Sequence, residues 1–195
     1  MCQFAYKQDT VEKIGNAMIY ILNHTHNTSK TKLIKLLYFI EEYSVKKNKI
    51  PFFDIPFEVW QAGPVPKSVY IDMNENLEIF GDFISKKRQR GNDYDFFIAM
   101  KEFCDDEFSD NEIELMDTVI KNLGSKTATE LVTLSHSKDG AWYKIAFDNN
   151  LVDSFESGRA NSSNCEIDMT FYLTCCESEI YREQQEFNAI TSYLK

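Results

Sequence analysis

From Lys30 to Lys47 the chain reads KTKLIKLLYFIEEYSVKK, in which Leu33, Ile34, Leu36, Leu37, Tyr38, Phe39, Ile40 and Tyr43 cover most of a helix circumference rather than one stripe. A helix this apolar must be packed on several sides, so the segment predicts the centre of the core, with the rest of the chain arranged around it. Ser29 precedes it and suits an N-cap. With 195 residues, 43% hydrophobic and 14% aromatic, the chain holds enough apolar material for one full-sized core and too little for two, and a single domain over residues 1–195 is expected. The same fractions exclude disorder along the whole chain, and seven Gly with four Pro exclude collagen-like and low-complexity classes.

Before this helix, Val11, Ile14, Ala17, Met18, Ile21 and Leu22 recur at helical spacing from Asp9 to about Asn23, with Asp9 or Thr10 as the expected N-cap. After it, IPFFDIPF at 50–57 holds two prolines and must be extended, leading into a short strand-like segment, Phe57–Gln61. Ala62-Gly63-Pro64-Val65-Pro66 then breaks the chain, and Pro64 or Pro66 can occupy the first turn of a helix running from Lys67 to about Asn76. Residues 77–100 place β-like residues either side of a charged turn at Arg88–Asp95, which predicts a hairpin.

Ser109 to Glu112 opens a helix ending at Leu123, with Gly124 expected as its C′ residue, and Thr127 caps a short helix through Leu134. Gly140-Ala141-Trp142 begins another through Phe147, residues 149–165 read as a loop, and Asp168 to Lys195, free of Gly and Pro, reads as one or two terminal helices. The fold class is α+β, mostly helical, with a central buried helix and a small β element.

The formal charge of −10 is uneven: residues 1–90 carry 13 Lys/Arg against 10 Asp/Glu, and residues 91–195 carry 8 against 21. Nonspecific binding to nucleic acid or anionic lipid is disfavoured for the molecule as a whole. No apolar run of about 18 residues occurs, and MCQFAYKQDT lacks a basic region followed by an apolar stretch, so neither a membrane span nor a secretory signal is expected. Cys2, Cys104, Cys165, Cys175 and Cys176 are odd in number and form no CxxC, which fits free thiols in the cytoplasm.

The search for chemistry yields little. His24 and His26 lack a Cys or carboxylate at ligand spacing, and no metal site or cofactor is expected. His136 lies in Leu134-Ser135-His136-Ser137 without a recognisable nucleophile motif, and neither G-x-S-x-G, a P-loop nor H-E-x-x-H occurs. No catalytic residue is assigned. Eight acids fall between Glu102 and Asp117 with no Lys or Arg among them, including Asp105, Asp106, Glu107 and Asp110. They cluster at a helix N-terminus, where negative charge is favoured; they form either a solvated face or a surface for a basic partner. Lys30, Lys32 and Lys35 crowd the opposite case, the N-terminal turn of the buried helix, where positive charge is disfavoured. Either an internal partner offsets this, such as a carboxylate of the acidic half, or Lys32, Lys35 and free helix amides form a site for a partner's carboxylate or phosphate.

Three stretches together resemble the Panacea domain, the SocA-like antitoxin domain found in phage-associated proteins. Lys32-Leu33-Ile34-Lys35-Leu36-Leu37-Tyr38-Phe39 is similar to its K-L-x-K-L-L-Y-F helix. Residues 57–66, FEVWQAGPVP, with Val69-Tyr70, are similar to its E-A-W-x-x-G-P-V-x-P-x-V-Y segment. Residues 128–142, ATELVTLSHSKDGAW, are similar to its L-S-x-x-T-H-x-x-x-P-W element. The resemblance covers about residues 10–172 and leaves a tail of about 173–195 outside it. Ser135 replaces the usual Thr, and Ala141 the usual Pro.

The resemblance implies an antitoxin-type protein encoded beside a toxin, often in prophages, that neutralises the toxin by direct binding and has no catalytic centre. Family members are also proposed to deliver toxins to a Clp-type protease, a role for which the tail is the spare segment here. A DNA-binding autorepressor fits poorly with the acidic balance. Of the matching positions, Leu36, Tyr38, Trp60, Gly63, Pro64, Val65, Tyr70, His136 and Trp142 are expected to be fold determinants, with Trp60 and Trp142 burying large apolar area.

Overall fold

The computed structural model describes residues 7–88 and 95–191. Helix α1 (Gln8–Asn23) precedes α2 (Lys30–Asn48), and the hairpin β1 (Glu58–Trp60) and β2 (Gly63–Val65) leads into α3 (Lys67–Asn74). A second hairpin, β3 (Ile84–Lys87) and β4 (Phe96–Ala99), is followed by α4 (Asp110–Leu123), α5 (Ala128–Ser135), α6 (Ala141–Asp148) and α7 (Val152–Glu156). A 3-10 turn at Met169–Tyr172 and α8 (Cys175–Thr191) complete the described chain. The architecture is α+β and mostly helical, with two small antiparallel hairpins.

Helix α2 occupies the centre, as its apolar circumference predicts: every residue from Lys32 to Glu41 is buried, and α1, α4, α5, β2 and the 3-10 turn all pack on it. Full burial of Leu33, Leu36, Leu37 and Ile40 removes about 1.5–3 kcal/mol of apolar exposure per side chain. Ser29 caps the helix by accepting the Lys32 amide at 3.3 Å. Helix α1 lies against the second hairpin so closely that a Cβ at Gly15 would come 2.3 Å from the Phe83 ring.

The second hairpin pairs Ile84 with Ala99 and Lys87 with Phe96, matching the predicted one; most of its predicted turn lies outside the described residues. Capping boxes join Ser109 to Glu112 and Thr127 to Glu130, fixing the starts of α4 and α5.

Several expectations are corrected. Lys7 stands at the N-cap of α1, so Asp9 and Thr10 lie inside the helix. Gly124 closes α4 in a right-handed conformation, φ −61°, not as a left-handed C′ residue. Pro64 lies in β2, and only Pro66 precedes α3 as its N-cap. The predicted loop at 149–165 contains α7, a single turn anchored by buried Phe155 and too short to show periodicity. Beyond it, Cys165 and Ile167 exchange backbone bonds with Val59 and Phe57 along the outer side of β1. Tail helix α8 docks on the body through buried Tyr181, with Gln185 and Asn188 donating to Asp54.

Among the described residues no helix is long and apolar enough to cross a membrane, and no cluster of three metal-ligating side chains forms.

Candidate partner-binding site

The three stretches picked out in the sequence meet at one place. The first is the N-terminal half of α2, where the cap at Ser29 sets the rotation that sends Lys32 and Lys35 inward. Lys32 donates its amine to the Gly124 carbonyl at 2.7 Å, and Lys35 donates to the Pro64 carbonyl at 2.6 Å. The internal partners of these lysines are therefore backbone carbonyls, one ending α4 and one in β2, rather than carboxylates of the acidic half.

The second stretch is the β1–β2 hairpin, in which Glu58 pairs with Val65 and Trp60 with Gly63. Gly63 has φ +90°, and a Cβ there would lie 2.4 Å from Ser135 Oγ and 2.9 Å from Lys35 Cε. Glycine is thus required twice over, by its backbone conformation and by the close approach of α2 and α5. The Trp60 indole donates to Glu58 at 2.9 Å, and Lys67 pairs with the same carboxylate at 3.3 Å, which holds the hairpin against the start of α3.

The third stretch crosses over the hairpin. Trp142, only 5% exposed, donates its indole N–H to the Trp60 carbonyl at 3.0 Å. His136 stacks on Trp142 with ring centroids 3.8 Å apart. The imidazole Nε2 is buried and accepts or donates no hydrogen bond among the described residues. Burial, with the Lys35 charge adding to it, lowers the His136 pKa to about 4, so the ring is neutral at ordinary pH. Ser135 is also buried, and its hydroxyl donates to the Val132 carbonyl at 2.8 Å rather than to an imidazole.

A second link joins the first and third stretches. Tyr38 and Tyr172 both donate their hydroxyls to Glu42, and the Ala141 amide donates to the Tyr172 oxygen at 2.8 Å. The usual proline at position 141 has no N–H for this bond; alanine supplies one.

Lys35 is the least ordinary member. It is 1% exposed and meets no carboxylate, and burial alone lowers its pKa to about 7. It lies on the floor of a cavity of about 340 Å³, walled by Trp60, Tyr70, Ile34 and Val65, with Lys30 and Thr31 at the rim. Trp60 and Tyr70 meet edge to face at 4.8 Å, and the Lys30 amine sits 4.2 Å above the Tyr70 ring. Trp60 is half-buried, unlike Trp142, because one face of its indole lines this cavity.

The acidic run lies apart from these residues. Asp105, Asp106, Glu107 and Asp110 are exposed. Further along, Glu112 pairs with Lys13 at 2.5 Å and Asp117 accepts the Tyr20 hydroxyl, so part of the run is tied to α1. The meeting of Lys35, Gly63, Ser135 and His136 carries no sequence signal beyond the three stretches themselves, because the contacts join residues far apart in the chain and two of the acceptors are backbone carbonyls.

No curated protein matches the chain, and no solved structure does. A family model described as antitoxin SocA-like, Panacea domain, matches residues 33–143, a narrower span than the resemblance read from the sequence but one that contains all of α2 from Leu33 onward, both hairpins and Trp142. The match covers more than half of the chain, and the protein belongs to the SocA-like Panacea domain family of antitoxin-type proteins.

Proposed function

We propose that the protein neutralises a cognate toxin by binding it directly and covering the toxin's working surface, in the cytoplasm of a cell that encodes the two side by side, as in a prophage. Family membership supports the antitoxin role. The observation that carries direct binding is the cavity at the meeting point of the three family stretches, where Trp60 and Tyr70 present aromatic surface beside Lys30 and Lys35. Aromatic side chains in a partly desolvated concave site are the usual anchors of protein interfaces.

The protein acts on this reading without catalysis. Ser135 is the neighbour of His136 in the chain, yet its hydroxyl donates to the Val132 carbonyl and its side chain is buried. The test is co-expression with the neighbouring reading frame. Growth arrest by that frame alone, relieved by this protein and accompanied by a co-purifying complex, is the expected result. Relief without a complex, or hydrolysis of nucleotides, peptides or esters that His136→Ala abolishes in a folded protein, would overturn it.

Delivery of a bound toxin to a Clp-type protease is the second reading. It is favoured by α8, which follows the family match and presents Ile180, Phe187 and Ile190 at more than half exposure. Deleting α8 separates the two: masking survives the deletion, whereas delivery is lost with it and the toxin accumulates.

A further inference from the structure

We propose that the cavity floored by Lys35 receives an acidic side chain of the partner protein, held between the Lys35 and Lys30 amines with its apolar neighbours against Trp60 and Tyr70. This deepens the reading above, on which it rests, by naming the anchor that the partner supplies.

Three observations lead to it. The cavity is lined by two lysines and no acidic residue, in a chain whose net charge is −10. A local excess of positive charge on an acidic protein marks a place where an anion is meant to sit.

The second is the state of Lys35 itself. An ammonium has three N–H donors, and the Pro64 carbonyl takes one. Desolvation holds its pKa near 7, so the amine is kept in the interior at a cost in stability that a methionine of similar shape would not carry. A buried cation without a carboxylate is unfavourable for folding and favourable for capturing one, because the incoming oxygens complete its coordination in a low-dielectric setting. The unpartnered His136 Nε2 lies within electrostatic reach of the same amine, so the interior at this point holds unused polar capacity on both α2 and α5.

The third is shape. A cavity of about 340 Å³ takes one or two side chains, and its lining sets Trp60, Tyr70, Ile34 and Val65 beside the neutral polar Thr31, Gln61 and Asn161, with a cation at the floor and another, whose amine also donates to Asn74, at the rim. That pattern fits a carboxylate at the end of a short aliphatic stem. A phosphate dianion would set two charges against one deep lysine and a rim lysine whose amine already donates to Asn74, leaving part of its charge uncompensated.

The titration uses ¹⁵N-labelled protein, with acetyl-Leu-Glu-Leu-amide as probe, acetyl-Leu-Gln-Leu-amide as its neutral match, and inorganic phosphate as the third arm. Saturable shifts of the Trp60 indole N–H and of the Thr31 and Ile34 amides are expected with the glutamate peptide, and binding about tenfold weaker with the glutamine peptide, the difference being one charge-assisted hydrogen-bond pair. Lys35→Met abolishes the preference. Should that variant fail to fold, Lys30→Gln at the rim, which leaves the interior intact, reduces it several-fold. Equal binding of the two peptides, phosphate displacing the glutamate peptide with the same shifts, or no saturable shift with any probe would each overturn the proposal. None of these outcomes touches toxin neutralisation as such. A Lys35→Met protein that still neutralises its toxin with full affinity refutes the anchor and leaves the antitoxin reading standing.

Discussion

The indole N–H of Trp142 reaches the backbone carbonyl of Trp60 across 82 positions of sequence, at 3.0 Å. Through this bond the start of α6 is fastened to the end of β1, and the half-buried Trp60 is held with one face toward the cavity. One tryptophan is structural support for the other, so the two are not equivalent as mutation sites.

Trp142→Phe keeps most of the apolar volume and removes the donor to the Trp60 carbonyl, which keeps its place in the Trp60–Gly63 pair of the hairpin, at a cost of about 0.5–1.5 kcal/mol. Trp142→Ala adds a cavity and the loss of the His136 stack, for about 3–5 kcal/mol. Trp60→Ala costs less, because its side chain is only partly buried whereas Trp142 is almost wholly so. Urea denaturation of the three variants checks the order. If Trp60→Ala is as damaging as Trp142→Ala, Trp60 is a core residue and the cavity wall is not its role.

Two buried groups titrate in adjoining windows, with opposite signs. Lys35 has its pKa lowered by burial from 10.5 to about 7. Between those values the unfolded chain binds the proton and the folded chain does not, so stability rises with pH from about 7 to 10.5, and below 7 the full cost of a buried ammonium is present. Glu41, on the opposite half of α2, accepts the Phe52 and Phe53 amides at 3.1 and 2.7 Å, yet burial outweighs these bonds and raises its pKa from 4.5 to about 7. Here the folded chain binds the extra proton, and stability falls as pH rises from 4.5 to about 7.

Melting temperatures of the wild type and Lys35→Met, measured across pH, separate the two windows. The advantage of Lys35→Met is expected to be constant below pH 7 and to shrink above it, while the fall between pH 4.5 and 7 stays in both proteins and disappears in Glu41→Gln. A Lys35→Met advantage that does not depend on pH would mean that Lys35 titrates at its ordinary pKa in the folded protein and stays charged there, against the lowering that burial gives it.

The sequence declared α2, the starts of α4 and α5 and the second hairpin, because each of these rests on local signals. The apolar circumference from Leu33 to Ile40, the Ser29 and Thr127 hydroxyls and the charged turn at 88–95 are all readable within a few residues. What stayed hidden is non-local. A backbone carbonyl has no residue type, so nothing in the sequence said that Lys32 ends on Gly124 and Lys35 on Pro64. Pro64 read as a helix opener because a proline in a strand is tolerated only at an edge. The three-residue β2 is such an edge, paired as a strand with β1 on one side among the described residues.

Gly63 provides a sharper test of the junction. Its φ of +90° and the 2.4 Å approach of Ser135 Oγ to a Cβ there are separable penalties, one of backbone and one of crowding. Gly63→Ala is expected to destabilise by about 1–3 kcal/mol from the backbone alone, with the contact added. Ser135→Ala in the same chain relieves the Ser135 contact and leaves the backbone strain and the 2.9 Å approach of Lys35 Cε, so the double variant recovers part of the loss and not all of it. Strict additivity of the two substitutions, read by denaturant midpoint, would show that α5 does not press on the hairpin at this point.

The exposed acids ahead of and at the start of α4 lie apart from the cavity, and any pull they exert on a partner would act at longer range. Asp105, Asp106, Glu107 and Asp110 face solvent, while Glu112 and Asp117 are drawn into contacts with α1, so the free part of the charge lies at the N-terminal end of the run. On the neutralisation reading proposed above, a toxin that acts on RNA, nucleotides or phosphorylated substrates would carry a positive surface at its active site, and that surface would be attracted to this end of the protein. Such steering raises the association rate more than it slows dissociation, and it fades with salt because the screening length is about 8 Å at physiological ionic strength. Replacing the four acids by Asn or Gln is therefore expected to slow association with the toxin by about tenfold at low salt and to have little effect at high salt, with the dissociation rate nearly unchanged, as followed by surface plasmon resonance. A salt-independent on-rate that the four substitutions leave untouched would make this run a solvated face and confine the interface to the lysine side of α2.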